Sequence, residues 1–326
     1  MNPRTLVLLL SAVLAGALST ACSRKSPAGA EAGPGTRYTV VFSQCNNAEP
    51  YRAAQNAQME RLWGAQKDVH LVIMDAQQDS AKQIGQIETA IRMRPNLLIV
   101  APNERAPLTE VMGRAMRAGI PVICLERDIV QPNYTTWIRS DNRAIGRLAG
   151  EFILEYLKKK HGAPRGRIVE ISGLKGVEGE ISRYGGAHDV WDKYPDIKIV
   201  ANPVANWLQS LAKDRMSEVL SAVPEIDVVY GHNDPMAMGA YLAAREKGRE
   251  KEMIFVGVDG LSGDAGGIKK VKEGLLAATF VYPLCVDKAV EIGTRILRQP
   301  DFKPEPVYMM ESRLVTAENA AKIDGQ

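Results

Sequence analysis

Strand and helix signals alternate along the chain from position 38 onward. Short, mostly apolar runs at 38–42, 69–75, 97–101 and 121–125 predict buried strands, and the segments between them, 53–65, 81–93 and 108–118, carry apolar residues at helical spacing. A longer helix is predicted over 142–159, with Leu148, Phe152 and Tyr156 on one face. The alternation then restarts, with strands at 167–172, 197–205, 228–230, 254–258 and 277–281 and helices at 182–193, 208–222, 236–247, 268–273 and 286–297. Strands separated by helices of about 10–15 residues form parallel sheets through right-handed crossovers. The fold class read from this pattern is α/β: two similar doubly wound parallel-sheet domains, with Ser140-Asp141-Asn142 as the first passage between them.

The first residues depart from the pattern. Arg4 precedes an apolar run over 6–18 that is too short for a membrane span, and the run ends at Ser19-Thr20-Ala21-Cys22. Small residues before a cysteine resemble the lipobox of bacterial lipoproteins, whose cysteine is lipidated and becomes the new N-terminus. Here Ser19 occupies the place of the usual leucine. The expectation is a signal peptide at 1–21, lipidation of Cys22, and a flexible tether at 22–36 rich in Ser, Pro, Gly and Ala. The alternative is a simple cleaved signal followed by a chance cysteine. Both place the protein outside the cytoplasm, in the periplasm or at the cell surface, with the lipid anchor as its only membrane contact. No later segment reaches the roughly 18 apolar residues of a span.

Composition narrows the function. The 326 residues suffice for two domains, and 45% hydrophobic with 24% charged residues is the balance of a globular protein. A net charge of +3 is too small to imply nucleic acid as a partner. Four histidines leave little room for a histidine metal site, and neither a metal nor a cofactor is expected. After Cys22, Cys45, Cys124 and Cys285 remain, so at least one is unpaired within the chain. Cys124 lies in an apolar run and reads as a buried thiol, whereas a bridge between Cys45 and Cys285 stays open.

Chemistry concentrates where the predicted strands end. The first strand runs into Ser43-Gln44-Cys45-Asn46-Asn47-Ala48-Glu49-Pro50-Tyr51-Arg52, dense in hydroxyl, amide, carboxylate, phenol and guanidinium groups. Leu125-Glu126-Arg127-Asp128, His232-Asn233-Asp234 and Val258-Asp259-Gly260 follow the same layout. Ligands of open α/β sheets sit beyond the carboxyl ends of the strands, so these segments are where a polar small molecule is held. No G-x-G-x-x-G after a strand, G-x-x-x-x-G-K-[ST], G-x-S-x-G or H-E-x-x-H occurs, and no nucleophile accompanies His232, which argues against an enzyme.

Taken in order, Ser43 to Asn47, Asp75-Ala76-Gln77, Ile99-Val100-Ala101-Pro102, Pro121 to Arg127, Ser140-Asp141-Asn142, Asn233-Asp234-Pro235-Met236-Ala237, Gly257-Val258-Asp259-Gly260 and Leu276-Ala277-Ala278-Thr279 resemble the sugar-binding proteins of the ribose/galactose periplasmic type, the type I solute-binding fold. The resemblance spans about 37–321. It implies two domains joined by a multi-strand hinge, a sugar held between them, and delivery to an ABC permease by a monomer that does no chemistry. It further implies a division of the chain into 37–140 with 283–312 and 141–282 with 313–326. The residues it points to as ligand contacts are Ser43, Gln44, Asn47, Glu49, Tyr51, Arg52, Glu126, Arg127, Arg183, Trp207, Asn233, Asp259 and Tyr282. Their chemistry suits a polyol: carboxylates, amides and guanidiniums each hold adjacent hydroxyls, and an aromatic ring covers the C–H face.

Plainer readings stand beside several of these. Arg127 is placed to pair with Glu126 or Asp128, Asn233-Asp234-Pro235 to cap a helix, Asp259-Gly260 to form a turn, and Tyr282-Pro283 to stiffen a hinge. The chain also departs from the ribose pattern. Ala48 to Arg52 replaces two phenylalanines and resembles the galactofuranose-binding branch, Glu126-Arg127 replaces Asp-Arg, and Val258 replaces an aromatic residue. A furanose or an anionic sugar is conceivable on these grounds. Gly260 to Gly267 and Thr279-Phe280-Val281-Tyr282-Pro283 resemble sugar-sensing domains that act with histidine kinases, which gives an alternative output for the same binding event.

Overall fold

The computed structural model describes residues 35–323, so the predicted signal peptide, Cys22 and most of the tether lie outside the described residues. Two six-stranded sheets form the frame. The first contains β1 (Tyr38–Gln44), β2 (Val69–Asp75), β3 (Leu97–Val100), β4 (Val122–Leu125), β5 (Thr136–Ser140) and β11 (Val307–Met310). Its order is β11-β5-β4-β3-β1-β2, and every neighbouring pair is parallel. The second contains β6 (Gly166–Ile171), β7 (Ile197–Ala201), β8 (Val228–Gly231), β9 (Ile254–Val256), β10 (Ala278–Val281) and β12 (Arg313–Thr316). Its order is β12-β10-β9-β8-β6-β7, parallel except for the β10–β12 pair.

Helices bury both faces of each sheet, which is why the central strands read as continuous apolar runs. α1 (Pro50–Gly64) and α9 (Val286–Arg298) lay Met59, Trp63, Val286 and Ile292 on Phe42, Leu97 and Ile99. α2 (Ser80–Met93) and α3 (Arg105–Arg117) cover the opposite face, with Ile87, Leu108 and Met112 against Val41, Leu98 and Val100. In the second lobe α4 (Asn142–His161) and α5 (Glu178–Trp191) cover one face, and α6 (Gln209–Ala222), α7 (Asp234–Glu246) and α8 (Gly267–Lys272) the other. Each large side chain buried in this way contributes about 1.5–3 kcal/mol.

The chain passes between the sheets three times: at Ser140-Asp141-Asn142 after β5, at Tyr282 to Cys285 between β10 and α9, and at Glu311-Ser312 between β11 and β12. The fold is the expected pair of α/β lobes, with the corresponding strand ends turned toward one shared gap.

Several details differ from the sequence pattern. β5, β11 and β12 were not legible: they are four or five residues long, and polar or half-buried positions interrupt their apolar signal. α1 starts at Pro50 rather than 53, because proline fits the first helical turn. α5 starts at Glu178 rather than 182, and the two acidic residues of its first turn suit the positive end of the helix. β7 stops at Ala201 rather than 205.

The face assigned to α4 needs correction. Leu148 is 37% exposed, and Phe152 and Tyr156 are only partly buried; Ile145, Ala149, Ile153 and Leu157 face the core. The seam shifts because α4 and α5 touch through glycine. A Cβ at Gly146 would stand 2.2 Å from the Arg183 carbonyl oxygen, and one at Gly186 would stand 2.1 Å from that of Arg143. Cys45, Cys124 and Cys285 are all buried free thiols, so the Cys45–Cys285 bridge left open by the sequence is not formed.

Candidate functional site

Four strand ends and two helix starts converge on one pocket lined by Glu49, Tyr51, Arg52, Glu126, Arg127, Gly179, Arg183, Trp207, Asn233, Asp259 and Tyr282. Apart from Gly179, these side chains belong to residues only 2–6% exposed. Glu49, Tyr51 and Arg52 come from the start of α1, and Glu126 and Arg127 from the end of β4. Gly179 and Arg183 come from α5, Trp207 from the segment before α6, Asn233 and Asp259 from beyond β8 and β9, and Tyr282 from the second crossing. Ten of the thirteen residues singled out from sequence are therefore brought together.

The remaining three stand elsewhere. Ser43 is buried beneath the pocket, where its hydroxyl accepts from Gln83 Nε2 at 3.2 Å. Gln44 donates to Gln55 and Asn56, and Asn47 is exposed with its Oδ1 accepting from Asn56. Its neighbour Asn46 points inward instead, donating to Glu49 Oε1 at 2.9 Å. In an irregular turn no period tells which of two consecutive asparagines faces in. Gly179 was missed because glycine offers no side-chain chemistry to read.

Three guanidiniums, Arg52, Arg127 and Arg183, and three carboxyls, Glu49, Glu126 and Asp259, share the pocket. Arg52 Nη1 lies 2.7 Å from Glu126 Oε2, and Arg127 Nε lies 3.9 Å from the same oxygen. Burial opposes ionisation of Glu126, but the Arg52 and Arg127 guanidiniums override it and hold the carboxyl below its usual range. Tyr282 Oη donates to Glu126 Oε1 at 2.8 Å. Arg127 is oriented by a 2.9 Å bond to the Asn103 carbonyl, so it does more than pair with its neighbour Glu126.

Rings and guanidiniums stack in series across the gap. Arg52 lies over Tyr51 at 5.2 Å, Tyr51 stacks on Tyr282 at 5.1 Å, and Arg183 lies over Tyr282 at 4.4 Å and over Trp207 at 5.7 Å. Arg127 of the first lobe then closes on the same indole at 5.9 Å. Such contacts favour delocalised cations over apolar faces. Arg183, which could have been a surface charge, is buried; it donates to the His232 carbonyl and to Asn142 Oδ1. Trp207 seats its ring on Gly173, where any Cβ would come within 2.2 Å of it.

Asn233 carries both of its sequence readings. Its Oδ1 caps α7 through the Met236 amide, and it also lines the pocket. Asp234 is structural: its carboxylate accepts from Thr279 Oγ1 at 2.6 Å and from the Gly260 amide at 2.8 Å. Burial raises its pKa to about 7 despite those bonds. Asp259 is different, because its carboxyl makes no hydrogen bond to another described residue. Burial, and then the charge of Asp234, push its pKa well up. Its backbone sits at φ 130°, with Glu126 at 63° and Trp207 at 71°. Left-handed backbone at non-glycine residues costs about 1–3 kcal/mol each and collects at functional sites. The buried indole Nε1 of Trp207 is likewise without a partner.

The model of the Periplasmic binding protein domain family matches residues 40–284. The chain belongs to this family. It is 30% identical over 255 residues to the xylitol-binding protein of Mycolicibacterium smegmatis, covering 77% of this chain and 70% of that one. Among solved structures, the fructose-binding periplasmic domain of a hybrid two-component system superposes with a TM-score of 0.82 at 36% identity, covering 88% of this chain and 93% of the other. The periplasmic binding component of the arabinose ABC transporter of Shewanella sp. ANA-3, bound to L-arabinofuranose, gives 0.79 at 27% identity, covering 87% and 93%. The family and the type I fold read from the sequence are thereby borne out. The chain is an exported binding protein and not an enzyme.

Proposed function

We propose that this periplasmic binding protein captures a monosaccharide, held as a furanose, between its lobes and delivers it to an ABC permease. The observation that carries the reading is the convergence in one buried pocket of three guanidiniums and three carboxyls with the partnerless Arg52 Nε and Trp207 Nε1 and with the Asp259 carboxyl, which makes no hydrogen bond to another described residue. Sugar hydroxyls donating to Asp259 and accepting from Trp207 Nε1 and Arg52 Nε satisfy these groups. Arg52, Arg127, Arg183, Asn233 and Glu49 supply further hydrogen bonds to hydroxyls, and the Trp207 and Tyr282 rings cover the C–H faces. The furanose form follows the arabinofuranose-bound relative.

The free space in the pocket is about 20 Å³, room for about one ordered water and far less than a monosaccharide needs. Admitting a sugar therefore requires the lobes to part, and closure is the state that the ligand favours. The test is a melting-temperature survey with D-fructose, L-arabinose, D-ribose, D-galactose, xylitol and galacturonate. At least one of these should raise the melting temperature. Arg127→Ala and Asp259→Ala should each abolish the shift while remaining folded; retention by both would refute this placement of the site.

Two further parts of the reading concern output and location. The 36% identical relative belongs to a two-component system, which favours a sensory output as the second reading. Capture of a permease or of a histidine kinase by the purified protein, with and without sugar, separates the two. Lipidation at Cys22 and a monomeric state complete the proposal: Cys22→Ser should shift the protein from the membrane fraction to the soluble one, and unchanged fractionation would remove the anchor.

A further inference from the structure

Ser140-Asp141-Asn142 marks the first crossing, yet Asn142 does more than join two lobes. It is fully buried, and its amide touches three groups. Nδ2 donates to Glu178 Oε2 at 2.6 Å and to Tyr282 Oη at 3.2 Å, while Oδ1 accepts from Arg183 Nε at 3.0 Å. Glu178, at the start of α5, turns its other oxygen to Arg139 Nη2 of β5 in the opposite lobe, at 2.7 Å. Tyr282 carries the chain of bonds on to Glu126 and thence to Arg52.

Neither Asn142 nor Glu178 lines the pocket, but the two bonds of one amide hold Arg183 and Tyr282, which do. Both hydrogens and the oxygen of the amide are used, so the network is satisfied and cooperative at this node. Asn142 lies in the first crossing and Tyr282 in the second, so the amide joins two of the three segments about which the lobes move. A rotation that carries Arg139 away from Glu178 therefore reaches Arg183 and Tyr282 through Asn142.

We propose that Asn142 and Glu178 are positioning residues of the binding site, linking closure at the crossings to the placement of Arg183 and Tyr282. The proposal rests on the sugar-binding reading above. It makes affinity depend on two groups that never touch the ligand, and places that dependence in the release rate, because two bonds of the network, Arg139–Glu178 and Tyr282–Glu126, reach across to the first lobe.

The test uses the full-length protein with Glu178→Gln, Tyr282→Phe, the double variant, and Asp189→Asn as control. Asp189 pairs with Arg143 on the outer side of the same two helices, outside the network. With the surveyed sugar that gives the largest melting shift, E178Q should raise Kd about tenfold, mainly through faster dissociation, as for loss of a charge-assisted bond. The double variant should lose no more than the worse single one, since the two changes break one network. D189N should bind as the wild type. A second readout needs no ligand: hydrogen exchange in E178Q should accelerate together at 142–146 and at 282–285, and in D189N at neither. Wild-type Kd in E178Q, fully multiplicative losses in the double variant, or faster exchange confined to the neighbourhood of Glu178 would each overturn the proposal. A wild type that binds none of the sugars refutes the sugar reading instead, and the exchange experiment still decides this one.

Discussion

Asp259 shows how much one residue can owe to its surroundings. In the sequence, Asp259-Gly260 is a turn signal; in the structure the carboxyl stands at a strained backbone position, buried and without a donor. Beside it, Asp234 is held for packing and capping. Both carboxyls are pushed upward, Asp234 to about 7, by burial first. The unfolded chain releases these protons near pH 4, whereas the folded state retains them. This contribution to stability is therefore fully present below about pH 4 and is lost as the pH rises through the folded values. Relative to Asp234→Asn, the ligand-free wild type should melt at progressively lower temperature from about pH 4 to about pH 8. Thermal melts across that range check the sign, and parallel pH profiles for the two proteins would contradict it.

At the scale of elements, the α4–α5 pair decides where Arg183 and Glu178 stand. Helices this close need glycine at the contact, and Gly146 and Gly186 provide it by facing carbonyl oxygens of the partner helix. Gly146→Ala forces a methyl group against the Arg183 backbone, an overpacking worth about 1–3 kcal/mol. The expected result is a lower melting temperature together with weaker saccharide binding, because any shift of α5 moves the Arg183 guanidinium. A G146A protein with reduced stability and wild-type Kd, measured by calorimetry, would show that α5 adjusts without disturbing the site. The sequence carried part of this arrangement. The helical spacing of α4 and α5 was legible, but the buried face of α4 was not, since the small residues that define it weigh little on any hydrophobic scale.

At the scale of the whole molecule, three crossings and a nearly filled gap describe two lobes able to part and close. Saccharide binding should contract the protein. A fall in radius of gyration, measured by small-angle scattering with the sugar that most raises the melting temperature, is the expected outcome; an unchanged radius in the presence of bound sugar would mean that ligand enters without lobe movement. The pair Arg139–Glu178 spans the lobes directly, and the bonds of Tyr51 Oη to the Pro283 carbonyl and of Gln55 Nε2 to that of Leu284 tie α1 to the second crossing. Closure thus works on the same segments that carry pocket residues.

The sequence by itself determined the two α/β lobes, because strand and helix periods are local properties and the central strands, buried on both faces, announce themselves as apolar runs. It also determined most of the pocket, because residues that follow parallel strands share one edge by construction: Arg52, Glu126, Arg127, Asn233 and Asp259 could be placed before any coordinate was known. Only the tertiary structure decided which neighbour in Asn46-Asn47 turns inward, that Arg183 is buried and not a surface charge, and that β5, β11 and β12 complete the sheets. It alone joined Asn142, Glu178, Tyr282 and Glu126, which lie up to 156 positions apart. A hydrogen bond between distant segments leaves no period in the chain; it exists only once the packing of both lobes has fixed where each donor and acceptor stands.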